Sequence, residues 1–170
     1  MLYRTLLGFL CLFTLANAGQ TPLKTDGQVH TFDSWDYVDC GLPSDAIQVK
    51  SIKVSPDPPQ PGKELSVTVK AEAIKRIDEG AYADVTVKLG LIKLLSKQFD
   101  VCEEARNANT TVQCPVEEGT YEVTQKVDLP KEIPKAKFKV QVRGFTVKDE
   151  DMLCLDLNVN FMRGLPGLSW

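Results

Sequence analysis

The segment VSPDPPQPGKELSVTVKAEA, residues 54–73, combines the two features that decide the fold of this chain. Its first half packs four prolines into six positions, and such a cluster holds a nearly fixed span instead of acting as a flexible linker. Its second half alternates polar residues with Leu65, Val67, Val69, Ala71 and Ala73. Because side chains two positions apart lie on the same face of a strand, this half predicts a β-strand with one buried face.

The same two-residue period recurs along the rest of the chain. Further runs occupy residues 47–54, 81–91, 121–129, 137–143 and 153–161, and turn residues separate them. Six strands that each have one apolar face predict an all-β, antiparallel sandwich of two sheets. Residues 103–106 could form one helical turn. The apolar phase slips after Gly144, which predicts either a β-bulge or a simple strand end.

Residues 1–18 have the composition of a signal peptide, with a basic start, an apolar run and an Ala-Asn-Ala cleavage site. The alternative of a buried helix would need a polar face, and a membrane span needs ~20 apolar residues. We interpret the polar, patternless residues 19–34 as a disordered leader or propeptide. Residues 35–170 are then one domain of a soluble protein of the secretory pathway, either secreted or delivered to a vacuolar or endosomal lumen.

The charges and the catalytic residue types exclude several classes of function. Removal of residues 1–18 takes away Arg4 and no acid, so the formal net charge changes from −3 to −4. An acidic chain without a basic stripe is not expected to bind nucleic acid. His30 is the only histidine, so a Ser-His or Cys-His catalytic pair has no imidazole within the predicted domain. These patterns predict a protein that is not an enzyme and that uses no metal or cofactor.

Four cysteines remain after the signal peptide: Cys40, Cys102, Cys114 and Cys154. An even number in a secreted chain predicts disulfides, with three possible pairings. Zinc binding is the alternative, and it is disfavoured because no two cysteines have the Cys-x-x-Cys spacing.

Five short motifs, in order, give the chain a family resemblance. They are YVDCG at 37–41, the proline segment at 55–62, CPVEEGTY at 114–121, the prolines of LP at 129–130 and IP at 133–134, and LCL at 153–155. With these motifs, residues 35–161 resemble the ML lipid-recognition domain family. Within it they are most similar to the fungal phosphatidylglycerol/phosphatidylinositol transfer proteins, which are related to the soluble Niemann–Pick type C sterol carrier.

The resemblance implies an immunoglobulin-like sandwich of about seven strands with an apolar cavity between its sheets. It implies that Cys40 pairs with Cys154 and Cys102 with Cys114. It also implies a monomeric carrier that binds one lipid, contacts membranes transiently and moves phosphatidylinositol or phosphatidylglycerol between them. A sterol carrier and a ligand-free immunoglobulin-like interaction module are the alternatives.

The proline segment departs from the family pattern. Many animal members have a small extra disulfide there, whereas this chain has prolines in place of both cysteines. We interpret the segment as a stiff corner between two strands, outside the lipid site, because each compatible proline restricts the unfolded chain. A recognition motif for proline-binding domains is the alternative.

The lipid cavity would be lined by the strand residues whose side chains face the interior of the sandwich, although most of them are also candidates for an ordinary core. Small residues at inward positions, Ala71, Ala73, Ala81 and Ala83, would leave room for it. By resemblance, the entrance lies among a loop at 94–99, the turn at 129–134 and the strand that follows. The predicted lining residues are Val67, Val69, Val85, Val87, Leu89, Leu94, Leu95, Phe99, Tyr121, Val123, Leu129, Ile133, Phe138, Val140, Val142, Leu155 and Leu157.

Two surface features accompany the predicted site. Lys93, Lys97, Lys131 and Lys135 flank the expected entrance, where they would meet anionic headgroups. A lysine-rich edge that discourages strand pairing is the alternative explanation. Asn109-Thr110-Thr111 is an N-glycosylation sequon between Cys102 and Cys114, which predicts a sugar on a surface loop.

Overall fold

The structure, a computed structural model, describes residues 29–32 and 34–162. The predicted signal peptide lies outside the described residues, as do residues 19–28 of the predicted leader, residue 33 and residues 163–170. In the described part of the chain, no helix is long and apolar enough to cross a membrane.

Nine strands and one short helix make up the described chain: β1 (Val29–Thr31), β2 (Trp35–Asp39), β3 (Ile47–Ser55), β4 (Glu64–Ala73), β5 (Tyr82–Leu89), β6 (Ile92–Asp100), α1 (Val101–Asn107), β7 (Gly119–Asp128), β8 (Lys137–Phe145) and β9 (Asp151–Asn160). The large sheet has the order β1-β2-β9-β8-β5-β6, and the small sheet has the order β3-β4-β7. Every pairing is antiparallel, which confirms the predicted all-β antiparallel sandwich.

The loop expected at residues 94–99 is wrong, because these residues belong to strand β6. Its register with β5 shifts after Val87, which pairs with Leu95, so that Lys88 pairs with Lys93 and Leu94 is an extra residue. This bulge changes the apolar phase within the strand, and the simple two-residue period is therefore hidden in the sequence. With β6 and the short β1, the sandwich has more strands than the seven or so expected.

Strand β1 lies inside the segment that we interpreted as a disordered leader. It pairs with β2, and the ring of His30 stacks on that of Tyr37 with their centroids 4.5 Å apart. Phe32 stacks on Trp35 in the same way, at 4.2 Å. Ordered structure therefore begins before Trp35, because aromatic stacking stabilises a strand too short and polar to show a period.

Of the two structures predicted after Gly144, a β-bulge and a strand end, the structure shows the β-bulge. The register between β8 and β9 shifts at Gly144 and Phe145, and β8 continues through this point to its end. A Cβ atom on Gly144 would lie 3.1 Å from both Leu153 Cβ and Met152 Cε, so the absence of a side chain permits this close approach.

The strands run between two ends of the sandwich. The helix end carries α1 and the connections at 74–81, 108–118 and 146–150; the hairpin end carries the connection at 56–63, the β5–β6 turn at 90–91 and the connection at 129–136. A core cluster of Ala46, Ala73, Ile77, Ala81 and Met152 closes the helix end. A second cluster, Trp35, Tyr37, Ile52 and Leu155, joins β3 to the β2–β9 side of the large sheet.

Both disulfides have the pairing that the family resemblance implies. Cys40–Cys154 connects the residue after β2 to β9, over a sequence separation of 114. Cys102–Cys114 connects α1 to the connection at 108–118, over a separation of 12.

The proline segment forms the connection between β3 and β4 at the hairpin end. Gly62 adopts a φ of 75° and its backbone N–H donates to Leu129 O at 3.0 Å, which ties the corner to the end of β7. The Ser34 hydroxyl donates to the Asp57 carboxylate and ties the corner to the start of β2 as well.

Candidate functional site

The inner face of the small sheet is formed by the apolar phase that the sequence shows. In the β4–β7 ladder, Ala71 lies opposite Tyr121 and Val69 opposite Val123. The alternate residues face outward, where the hydroxyls of Thr68 and Thr124 are 2.8 Å apart. The two-residue period of β4 and β7 therefore presents a continuous apolar surface to the interior of the sandwich.

Helix α1 lies across the edge of the interior, and several local contacts hold it there. The Asp100 carboxylate caps its N-terminus by accepting from the backbone N–H of Glu103 at 2.8 Å. The Val101 N–H donates to Ala81 O at 2.9 Å, and Arg106 donates to the Glu79 carboxylate at 2.8 Å. Together with the disulfide at the buried Cys102, these contacts fix the helix relative to the start of β5.

A cavity of about 510 Å³ lies between the small sheet and this helix. One wall is the inner face of β4 and β7, and the other is α1 with the connection that follows it. Glu104 is the charged residue of the lining, and Thr110, Tyr121 and Gln125 are its uncharged residues with polar side-chain groups. The described lining residues are Ile47, Ala71, Ala73, Ile77, Val101, Glu104, Ala105, Ala108, Thr110, Val112, Cys114, Val116, Tyr121, Val123, Gln125 and Val127.

The predicted lining residues lie in four places. Tyr121 and Val123 line the cavity. Val67 and Val69 lie on the inner face of β4, where they pack against the second core cluster. Leu129 and Ile133 are in the connection between β7 and β8, and Leu94 is the extra residue of the β6 bulge. The remaining predicted residues share the inner face of the large sheet: Val85, Val87, Leu89, Leu95, Phe99, Phe138, Val140, Val142, Leu155 and Leu157.

The inner face of the large sheet is incompletely covered. Phe138 and Leu155 are buried there, but Val85, Val87 and Val140 are only half-buried although they face the small sheet. In a close-packed sandwich, the inner side chains of the two sheets interdigitate and exclude solvent. The inner face of the large sheet is therefore not fully covered toward the β5–β6 side.

Sequence reasoning missed the wall that α1 and the next connection supply, which includes Ala105, Ala108, Val112 and Val116. These residues show no strand period, and the Cys102–Cys114 bridge and the packing of α1 bring them to the cavity. Val127 is different, since it continues the alternation of Tyr121 and Val123. The two-residue period of β7 could therefore have identified Val127 as a lining residue.

The four lysines of the expected entrance separate into different surfaces. Lys97 lies opposite Val85, on the inner face of β6, and its Nζ is 4.5 Å from the centre of the Phe99 ring. Lys93 lies opposite Lys88 on the outer face. Lys131 and Lys135 belong to the connection at 129–136.

The sequon residue Asn109 is exposed, between two residues that line the cavity, Ala108 and Thr110. It adopts a φ of 50°, a conformation that asparagine tolerates. The Thr110 hydroxyl donates to Val112 O at 2.8 Å, which closes the turn around it.

Within the described part of the chain, the side chains with shifted pKa values are not among those that line the cavity. Burial, with a smaller contribution from Asp39, raises the pKa of Tyr37. A hydrogen bond to Asp149 raises the pKa of Tyr82. Among the described residues, no group of three or more His, Cys, Asp or Glu side chains is placed to hold a metal ion. The lining of the cavity is mostly apolar.

Comparison with known proteins places this cavity in a family context. The profile of the ML domain matches residues 34–161. A phosphatidylglycerol/phosphatidylinositol transfer protein of Cryptococcus neoformans var. neoformans serotype D is 66% identical over 150 residues, which cover 88% of this chain and 83% of the relative. A protein of the same name from Mycosarcoma maydis is 41% identical over 154 residues, covering 86% and 80%.

Two solved structures share the fold at low sequence identity. A Niemann-Pick type C2 protein from Japanese carpenter ant superposes with a TM-score of 0.57 and 17% identity, covering 77% of this chain and 98% of that one. Chicken MD-1, solved in complex with lipid IVa, gives a TM-score of 0.52 and 13% identity, covering 79% and 96%.

Proposed function

The chain belongs to the ML domain family, and from this membership and its apolar cavity we propose that it is a phospholipid-transfer protein. It binds one lipid between its sheets and moves phosphatidylinositol or phosphatidylglycerol from one membrane to another. The observation that carries the proposal is the cavity between the small sheet and α1, in a chain 66% identical to a named transfer protein of this kind.

The physical task of such a carrier is to shield acyl chains from water. Exposing them costs ~0.8 kcal/mol per methylene, so a diacyl lipid with roughly thirty methylenes would cost on the order of 20 kcal/mol. A cavity lined by valine, alanine and isoleucine replaces one apolar environment by another, which makes the exchange nearly neutral. Transfer then needs no covalent step, and the protein acts as a carrier and not as an enzyme.

The lipid extends beyond the cavity along the incompletely covered inner face of the large sheet. The half-buried Val85, Val87 and Val140 support this extension, because they face the interior without filling it. Phospholipid is favoured over sterol by the names of the two relatives with high identity. The cavity also argues against a ligand-free interaction module, since an unfilled apolar interior loses packing energy that a bound lipid would restore.

The carrier acts as a monomer within the secretory pathway, where its two disulfides are stable, and it contacts membranes only while loading and releasing lipid. A glycan on Asn109 would lie beside the helix wall of the cavity, at the end of the sandwich opposite the β5–β6 turn.

Lipid binding can be tested by placing a charge in the cavity. Val123→Arg introduces a guanidinium into the apolar wall, so we expect native mass spectrometry to find no co-purified phospholipid and vesicle assays to find no transfer. The matched control is Thr124→Arg, which adds the same charge at the next residue, on the outer face. If folded Val123→Arg transfers phospholipid as well as Thr124→Arg does, the cavity is not the lipid site.

A further inference from the structure

Four of the described residues that line the cavity have polar side-chain groups, and two of these four are already bonded to the protein. The hydroxyls of Thr110 and Tyr121 donate to backbone carbonyls, at 2.8 and 2.9 Å. The other two residues, Glu104 and Gln125, form no side-chain hydrogen bond and no ion pair within the described part of the chain. A polar group beside an apolar surface is favourable only when a partner bonds to it, so these two side chains are available to a ligand.

Gln125 interrupts the apolar phase of β7. It stands at an inward position between Val123 and Val127, and all three residues line the cavity. Across the ladder it lies opposite Val67 of β4. Its neighbours on the inner face of the small sheet are therefore valines, and a valine at position 125 would continue the pattern. The side chain is half-buried, which places its amide on the wall of the cavity and not on the outer surface of the sheet.

Glu104 interrupts the apolar face of α1 in the same way. Val101, Glu104, Ala105 and Ala108 are spaced three and four residues apart, which places them on one face of the helix and its C-cap. All four line the cavity, whereas the preceding Glu103 does not. Because Glu104 is exposed as well as part of the lining, it lies at the rim where the cavity meets solvent.

The two side chains together demand a particular kind of ligand group. An ionised carboxylate only accepts hydrogen bonds, whereas an amide both donates and accepts. A phosphate would be repelled by Glu104, and the quaternary ammonium of choline has no hydrogen to donate. An ethanolamine ammonium only donates, so it would leave the N–H groups of Gln125 unpaired. A group with several hydroxyls can donate to the carboxylate and also accept from the amide.

From these observations we propose that Glu104 and Gln125 determine the headgroup specificity of the cavity, by selecting lipids whose headgroup is a polyol. Glu104 accepts from headgroup hydroxyls at the rim, and Gln125 bonds to the headgroup from the wall of β7. The charge of Glu104 also keeps the phosphate away from the helix side of the rim. This inference rests on the proposed phospholipid-transfer function, because it names the part of the transferred lipid that the protein recognises.

Competitive loading of the full disulfide-bonded protein tests the selection. The protein is incubated with vesicles that contain equal amounts of phosphatidylglycerol, phosphatidylcholine and phosphatidylethanolamine with the same acyl chains, and native mass spectrometry identifies the bound lipid. We expect phosphatidylglycerol to predominate on the unchanged protein. In Glu104→Met and in Gln125→Met, the ratio of bound phosphatidylglycerol to bound phosphatidylcholine should fall roughly tenfold, because each variant loses a hydrogen bond to the headgroup.

The controls make the same substitutions outside the cavity lining. Glu103→Met removes a carboxylate from the adjacent position of α1, and Gln98→Met removes an exposed amide that donates to Asp84 on the outer face of the large sheet. Both controls should keep the ratio of the unchanged protein. The ratio compares two lipids bound by one sample, so a loss of folded protein does not change it.

The repulsion of phosphate is tested with phosphatidic acid, which has a phosphate but no polyol. Glu104→Met should raise the share of phosphatidic acid bound in competition with phosphatidylglycerol. Glu104→Gln removes the charge but keeps an acceptor oxygen. It should therefore also bind more phosphatidic acid, but it should retain more of the preference for phosphatidylglycerol over phosphatidylcholine than Glu104→Met does. A share of phosphatidic acid that neither variant changes would contradict the role of the charge.

The remaining outcomes separate this inference from the proposed function. If folded Glu104→Met and Gln125→Met both keep the ratio of the unchanged protein, the inference fails although the protein still carries phospholipid. If the unchanged protein prefers phosphatidylethanolamine and Glu104→Met loses that preference, the carboxylate binds an ammonium and the inference again fails alone. If the unchanged protein loads no phospholipid at all, the proposed function and the inference fail together.

Discussion

At the scale of single residues, Asp156 is the most heavily bonded carboxylate of the large sheet. It lies on the outer face of β9, accepts from Arg143 Nη2 at 2.7 Å and pairs with Lys139 Nζ at 3.1 Å, both on β8. Partial burial raises the pKa of this carboxyl, but the hydrogen bonds from Arg143 and Lys139 outweigh that effect and hold the pKa below its ordinary value of 3.8. The charged form is therefore the one that stabilises the β8–β9 ladder.

The sign of the pKa shift predicts how pH changes this contribution. A pKa lowered by folding stabilises the protein above the unfolded value, and the stabilisation is lost as pH falls through the lower folded-state value. We expect Asp156→Asn to reduce the free energy of unfolding by about 1 kcal/mol at neutral pH, a discounted figure because the pair is partly exposed. Urea unfolding should show the full difference at pH 7 and a smaller difference near pH 3, because the stabilisation starts to fall below the ordinary pKa of 3.8.

Glu122→Gln is a suitable control, because Glu122 is exposed on β7 and forms no ion pair within the described ranges. It should change stability little at either pH. A loss for Asp156→Asn that is equally large at both pH values would mean that its shape, and not its charge, matters.

At the scale of elements, the two disulfides have different roles. Cys40–Cys154 closes most of the domain by joining β2 to β9, and both strands belong to the large sheet. Cys102–Cys114 closes a short loop, but that loop contains the wall of the cavity formed by α1 and its connection. The Cys40–Cys154 bridge therefore stabilises the large sheet, whereas the Cys102–Cys114 bridge stabilises the wall of the cavity.

Removal of the long bridge should therefore affect stability more than lipid binding, and removal of the short bridge should affect lipid binding more than stability. In the chain-entropy view, removing the long bridge costs ~4–5 kcal/mol and removing the short one ~3 kcal/mol. We expect the double variant Cys102→Ala with Cys114→Ala to lose bound phospholipid, because the helix wall is no longer held. The variant Cys40→Ala with Cys154→Ala should be less stable but should retain its lipid while folded.

Thermal unfolding and the ratio of lipid to folded protein, measured by mass spectrometry at low temperature, distinguish these outcomes. Loss of lipid from both double variants to the same extent would contradict the assignment of the wall to the shorter bridge.

At the scale of the whole molecule, the hollow interior makes stability depend on the ligand. A ligand that binds only the folded protein stabilises it by RT ln(1 + [L]/Kd), which is about 2.7 kcal/mol at a hundredfold excess over Kd. For a chain of this size, that corresponds to a change in Tm of roughly 5–10 °C. Extraction of the bound lipid should therefore lower Tm by this amount, and adding phosphatidylglycerol should restore it.

Differential scanning calorimetry of lipid-bound, extracted and reloaded protein measures this effect. Val123→Arg serves as the comparison, since extraction should leave its Tm unchanged. An extracted protein whose Tm equals that of the lipid-bound protein would show that the interior gains no stability from lipid.

Much of the fold could be predicted from local patterns. The alternation in β3, β4, β5, β7, β8 and β9 depends only on side chains two positions apart, and it also assigns Tyr121 and Val123 to an inward face. The pattern failed where local regularity is broken, at the bulge of β6 and in the three residues of β1. All five motifs that carry the family resemblance include a cysteine or a proline.

The sequence by itself determined the class of fold, the inward phase of each regular strand and the set of cysteines available for pairing. Only the tertiary structure decided which inward residues are covered, because burial depends on how the two sheets stack and on where α1 lies across their edge. The helix wall of the cavity results from contacts between α1 and residues that are separated from it in sequence. The β5–β6 hairpin turn is exposed because no other part of the described chain packs against it. A period of two residues contains no information about either.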